Sequence, residues 1–200
     1  MINSVVFDVG NVLVDFTPRL FLEKKVEDEG LRKRLYQAIF ANPAWGLADR
    51  GDITEEETLE RFVQAAPDQR DLISELYEKC GDTISLFPYA VPWIRELKEM
   101  GLRTYVLSNY SKHLYDRTVH KMDFLPLMDG TIFSWQHGCM KPEEAIYRLL
   151  LDQYGLDPAR TIFLDDLPAN LEKAQEIGMG TLHFTNYEEA HARLQRALAL

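Results

Sequence analysis

Short apolar, β-branched runs recur along the chain, each followed by a polar turn and then by apolar residues at helical spacing. The runs are SVVFD at 4–8, LRTYVLS at 102–108, GTIFS at 130–134, RTIFLDD at 160–166 and GTLHF at 180–184. Between them VPWIRELKEMG, SKHLYDRTVHKM, KPEEAIYRLLLDQYG and PANLEKAQEIG carry the helical pattern. Three of these four end in Gly, the residue suited to the left-handed position after a helix. Alternating strand and helix build right-handed crossovers. The expected class is therefore α/β, with a Rossmann-like parallel sheet covered by helices on both faces.

Residues 17–86 break this rhythm, with several helical patterns and no convincing strand. Thr54 and Glu57 make a capping box ahead of the apolar stripe Leu59, Phe62 and Val63. The expected organisation is a core of residues 1–16 and 87–200 interrupted by a helical cap subdomain, 17–86. An insert after the first strand emerges at the carboxyl edge of the sheet, where open α/β folds bind ligands, and could cover a site there as a lid. With no internal repeat, low-complexity tract or Ser/Pro-rich linker, the insert is expected to belong to one folding unit.

Composition narrows the class. The chain has 200 residues, 46% hydrophobic and 27% charged, and no apolar run approaches the roughly 20 residues of a membrane span. Met1 leads almost directly into the first strand without the basic start or cleavage pattern of a secretory signal, so a cytoplasmic location is expected. A formal net charge of −10 argues against nucleic acid or an anionic membrane as partner, since both demand clustered Lys and Arg. Any phosphate would need local cations or a metal to bind. Cys80 and Cys139 lack CxxC spacing and read as free thiols, and the five His residues lack a ligand spacing.

The polar residues at the strand ends carry the candidate chemistry: Asp8, then Ser108 with Asn109, then Lys141 a few residues past the third run, then Asp165 with Asp166. Successive crossovers bring such positions to one sheet edge. Taken singly, each also suits a turn, a helix cap or a solvated loop. The adjacent pair Asp165 and Asp166 is harder to explain that way, because two carboxylates repel unless a cation or donors compensate. As a set they fit a phosphoryl-transfer site. Carboxylates from two strand ends suit Mg²⁺, Lys141 and the Ser108 hydroxyl suit a phosphoryl group, and Asp8 could act as nucleophile.

These residues resemble, in order and over essentially the whole chain, the motifs of the haloacid dehalogenase (HAD) superfamily, in its branch with a helical cap between the first and second motifs. Asp8-Val9-Gly10-Asn11-Val12 with Asp15 resembles the first motif, Ser108 in VLSN the second, Lys141 in MKPEEAIY the third, and Asp165, Asp166 and Asn170 in FLDDLPANLEKAQEIG the fourth. DVGNVLVD is also similar to the first motif of some bacterial sugar-phosphate phosphatases, and the fourth motif to that of the phosphatase domain of soluble epoxide hydrolases. The resemblance implies an Mg²⁺-dependent phosphatase acting on a small phosphorylated metabolite, such as a sugar phosphate. Asp8 would be nucleophile and metal ligand, the Gly10 carbonyl and Asp166 further ligands, and Asp165 and Asn170 would orient the metal's ligands or waters. Ser108 and Lys141 would hold the phosphoryl group, with Asn109 in support.

Gly10 departs from the family pattern. Most family phosphatases carry an Asp there that protonates the leaving alcohol and later deprotonates the attacking water. Its absence implies another acid, a water, or slower chemistry that favours acidic leaving groups. Two rival readings follow. One is a haloacid dehalogenase, whose leaving halide needs no proton; the other is a binding or regulatory protein that lost the reaction. For substrate choice, the stretch NPAWGLADRGDIT offers Trp45 and Arg50 as residues facing the substrate. It reads equally well as a packing Trp45 followed by an Arg50-Gly51-Asp52 turn.

Overall fold

Apolar runs without polar alternation suit strands covered on both faces, and the structure, a computed structural model describing residues 1–199, places the three central ones so. The chain opens on strand β1 (Ser4–Phe7), turns through Asn11 in the left-handed region (φ 57°), and continues as β2 (Val14–Phe16). There follow the helices α1 (Pro18–Lys25), α2 (Glu29–Ala38), α3 (Pro43–Arg50), α4 (Glu55–Ala65) and α5 (Arg70–Glu78). Strand β3 (Ile84–Leu86) leads into α6 (Ala90–Glu99), β4 (Arg103–Ser108), α7 (Lys112–Thr118) and β5 (Gly130–Phe133). The remainder is α8 (Glu144–Tyr154), β6 (Thr161–Asp165), α9 (Pro168–Glu176), β7 (Gly180–His183) and α10 (Tyr187–Leu198).

The main sheet has the order β5-β4-β1-β6-β7, every pair parallel. Phe7 lies opposite Val106 of β4 and Leu164 of β6, so the carboxyl ends of all three central strands reach one edge. The strand period of two divides the core. Val5, Phe7, Val106 and Leu164 face Trp93, Ile94 and Leu97 of α6 and Leu194 of α10, whereas Val6, Leu107 and Phe163 face Ile146 and Leu150 of α8 and Leu171 of α9. The expected α/β class and parallel sheet are therefore found.

The segment after β2 has an apolar cluster of its own, in which Phe21 and Leu22 of α1, Leu35 of α2, Phe62 of α4 and Ile73 of α5 are buried together. Its capping box forms as read: the Thr54 hydroxyl accepts from the Glu57 amide at 3.1 Å, and Glu57 accepts from the Thr54 amide at 2.8 Å. The expectation of no strand in 17–86 is corrected by β3, which pairs antiparallel with β2 so that Phe16 faces Ile84 and Val14 faces Leu86. Three residues are too few to display a period, and the signal comes from the pairing alone. One result is that residue 16 and residue 84 lie side by side. Among the described residues no helix is long and apolar enough to cross a membrane, and Cys80 and Cys139 are buried free thiols.

Candidate active site

Asp8 follows β1 at the centre of the sheet edge and is 8% exposed. Its backbone N–H donates to the Leu164 carbonyl at 2.9 Å, which continues the β1–β6 ladder and fixes the direction of the side chain. Asp8 Oδ1 then accepts from the Val9 amide at 2.7 Å, from Ser108 Oγ at 2.8 Å and from Lys141 Nζ at 2.9 Å. Burial raises the Asp8 pKa above the usual carboxylate range against the pull of the Lys141 ammonium, and the neighbouring Asp165 adds to the rise.

Lys141 is fully enclosed, with Nζ 2.7 Å from Asp165 Oδ2 as well as 2.9 Å from Asp8. Burial alone would lower its pKa, but the two facing carboxylates outweigh that and hold it above the ordinary lysine value. Asn109 keeps the lysine in place: its Oδ1 accepts from the Lys141 amide at 2.8 Å and its Nδ2 donates to the Lys141 carbonyl at 2.9 Å. The Asn109 amide is thus a clamp on the Lys141 backbone, a more specific task than general support of a phosphate.

Asp165, at the end of β6, is enclosed by donors: Lys141 Nζ, the Leu167 amide at 2.8 Å and Asn170 Nδ2 at 2.9 and 3.0 Å. Asp166 is half-buried and accepts from Asn11 Nδ2 at 3.1 Å; burial raises its pKa, and Asn11 opposes the rise. Asp8, Asp165 and Asp166 each bring a carboxylate oxygen within 4.8 Å of the others. Lys141 offsets one of these three charges. A divalent cation would offset the remainder, and an oxygen-rich cluster with one well-donated carboxylate behind two more open ones is chemistry such an ion accepts.

Beside Asp8 lies a cavity of about 110 Å³ lined in part by Gly10, Ser108, Asn109, Trp45 and Asp49. Trp45 serves both readings given above. It borders the cavity, and it packs against Phe40 (centroids 5.2 Å apart) and stacks on Phe62 (6.2 Å). Arg50 is absent from the lining; it ion-pairs with Glu143 and lies 3.4 Å from Asp52. Trp45 and Arg50 both belong to α3, capped by the Asn42 side chain on the Ala44 amide, started by Pro43 and ended at Gly51 with φ 85°, so the turn begins only where the helix stops. Sequence reasoning missed Asp49, whose Oδ1 is buried without a hydrogen-bond partner among the described residues. The available signal was its i,i+4 spacing from Trp45 on that helix.

Mouse acyl-CoA dehydrogenase family member 10 is 28% identical over 98% of the chain, which spans only 19% of that protein's length. The sesquiterpene phosphatase astK of Aspergillus oryzae is 25% identical, over 92% of the chain and 90% of its own length. Among solved structures, a HAD family enzyme from Bacteroides thetaiotaomicron in complex with magnesium and inorganic phosphate superposes with a TM-score of 0.72, at 20% identity over 96% of the chain and 99% of its own. An L-2-haloacid dehalogenase from Xanthobacter autotrophicus superposes with a TM-score of 0.64, at 19% identity over 96% and 82%. The family model for haloacid dehalogenase-like hydrolases matches residues 2–178, and the chain belongs to that family of hydrolases.

Proposed function

We propose that the protein is an Mg²⁺-dependent phosphatase that hydrolyses a small phosphomonoester, such as a sugar phosphate, through an aspartyl-phosphate on Asp8. The observation that carries this reading is the convergence of Ser108 Oγ and Lys141 Nζ on one oxygen of Asp8, with Asp165 and Asp166 alongside. Two donors around a strand-end carboxylate can receive the oxygens of a phosphoryl group as it reaches that carboxylate. Mg²⁺ would be held by Asp8, Asp166 and the Gly10 carbonyl, with Asp165 behind them, and when bound it would supply the charge that lets a phosphate approach these carboxylates.

Asp8 attacks phosphorus as the bond to the leaving oxygen breaks, and water then hydrolyses the acyl phosphate and frees Asp8. Asp165 and Asn109 hold Lys141, one through its ammonium and one through its backbone, so the ammonium stays in position while the phosphoryl group moves. The phosphatase among the relatives and the magnesium–phosphate complex among the fold neighbours support this reading over dehalogenation, in which Asp166 and the divalent cation would have no task.

The test is phosphate release from a panel of phosphomonoesters with and without Mg²⁺, with chloride release from chloroacetate run in parallel. Turnover of phosphomonoesters that disappears on exhaustive chelation and returns with Mg²⁺ is expected. Full turnover after chelation, or activity on chloroacetate alone, would overturn it.

A further inference from the structure

The phosphatase reading leaves one group without an owner. A carboxylic acid at position 10 would protonate the leaving alcohol, and Gly10 has none. The backbone does not demand glycine there, because Gly10 has no left-handed φ and a Cβ built on it meets no atom within 4 Å. The place for an acid is open on the β1 side, so a side chain that protonates the leaving oxygen has to come from another wall of the cavity.

Among the described residues, the titratable side chains lining that cavity are Asp8, Asp49 and Tyr110. Asp8 is the nucleophile and cannot also protonate the leaving group. The Tyr110 hydroxyl is already engaged with Thr118 Oγ1 at 2.8 Å, and burial raises its pKa. Asp49 is the remaining acid. Its helix is tied to the core from two directions: Ser134 Oγ donates to the Asp49 carbonyl, and the next residue, Arg50, pairs with Glu143. Its side chain is only partly engaged: the Ser111 backbone amide acts on the carboxyl, while Oδ1 is buried without a donor. A buried carboxyl with an unsatisfied oxygen is costly when ionised, and a structure that fixes its backbone yet leaves that oxygen bare has a use for the protonated form.

We propose that Asp49 of α3 is the general acid and base of this site, replacing the acid missing at Gly10; the proposal rests on the phosphatase reading. As Asp8 bonds to phosphorus and the bond to the leaving oxygen breaks, the Asp49 carboxyl proton passes to that oxygen and the alcohol departs neutral. Asp49, now a carboxylate, takes a proton from the water that attacks phosphorus. The bond between phosphorus and Asp8 breaks, inorganic phosphate leaves, and Asp49 is again protonated. Its pKa is consistent with this cycle: burial pushes the carboxyl up to about 8, against a smaller opposing pull from the Ser111 backbone amide, so it carries its proton at neutral pH.

The test compares a primary alkyl phosphate with p-nitrophenyl phosphate, whose leaving group needs little protonation, using Asp49→Asn and, as a second variant, Asp49→Ala, with thermal unfolding measured on each. Loss of a general acid should lower kcat/KM by about 10²- to 10⁴-fold for the alkyl phosphate and by less than about tenfold for the aryl phosphate. Adding Gly10→Asp to Asp49→Asn should recover much of the alkyl phosphate loss. Equal losses on both substrates in a folded variant, or no loss on the alkyl phosphate, would overturn the assignment of Asp49. A wild type inactive on both would overturn the phosphatase reading and this proposal with it.

Discussion

Asp8 must be dry enough to keep water from competing and ionised enough to attack, and Lys141 reconciles the two by standing between it and Asp165. Asp8→Asn should abolish turnover while leaving the fold intact, because an amide is a poor nucleophile and carries no charge for a cation; wild-type rates would remove Asp8 from the mechanism. Lys141→Ala should fail more broadly, since removing one member of a buried pair typically costs about 3–5 kcal/mol by leaving the others uncompensated. A lowered melting temperature together with lost kcat/KM is expected, and an unchanged variant would make Lys141 a bystander. Asp49 makes a pH prediction. Its folded carboxyl keeps its proton up to about 8 whereas the unfolded chain loses it near 3.8, so stability falls as pH rises across that window. Asp8 and Tyr110 face Asp49 across the cavity and are common to wild type and variant. Asp49→Asn should therefore gain melting temperature over wild type at pH 8 relative to pH 4, and a constant difference would mean that the carboxyl is already ionised. Asp8, Ser108 and Asp165 could be placed at one sheet edge from the sequence because a strand end announces itself by the apolar run before it, whereas Lys141 lies well past the end of β5 and has no such local signal. The clamp of Asn109 on Lys141 was not legible, because both partners' backbones have to be placed before a side-chain amide can be seen to span them.

At the scale of the element, the same physics separates what could be read from what could not. The central strands β1, β4 and β6 are buried on both faces and show as largely apolar runs, whereas β2 and β3 are three residues each and mean nothing until paired. Helix α4 announced its start with Thr54 and Glu57. Thr54→Ala should destabilise the protein by about 1 kcal/mol, read as a lowered unfolding midpoint, with little effect on kcat. Helix α3 carries its start and stop residues, Asn42, Pro43 and Gly51, in plain view, but the turn chemistry of Arg50-Gly51-Asp52 is the more conspicuous signal there. The helix has a consequence for the site. Residues five apart on a helix point roughly 140° away from each other and residues four apart roughly 40°, so Trp45 shares its face with Asp49 and not with Arg50.

For the whole molecule, charge and packing set different constraints. A net charge of −10 repels a phosphate dianion at long range, and added salt screens that repulsion. Raising ionic strength from low to physiological should therefore lower KM for a phosphomonoester with little change in kcat, measured with a salt whose anion does not bind the site. A rise in KM would show that the cationic pocket outweighs the field of the whole protein. Packing is divided among clusters on the two faces of the sheet and one within α1 to α5, with Trp45 against both the first and the last. The Phe16–Ile84 pairing gives this division a modular meaning. A chain that leaves and re-enters through adjacent hydrogen-bonded residues makes everything between them a cassette closed at its base. Lengthening such a loop costs little, because closure entropy grows only with the logarithm of its length. An excursion so closed can be exchanged or enlarged, and with it the wall opposite Asp8, without shifting the register of the parallel sheet.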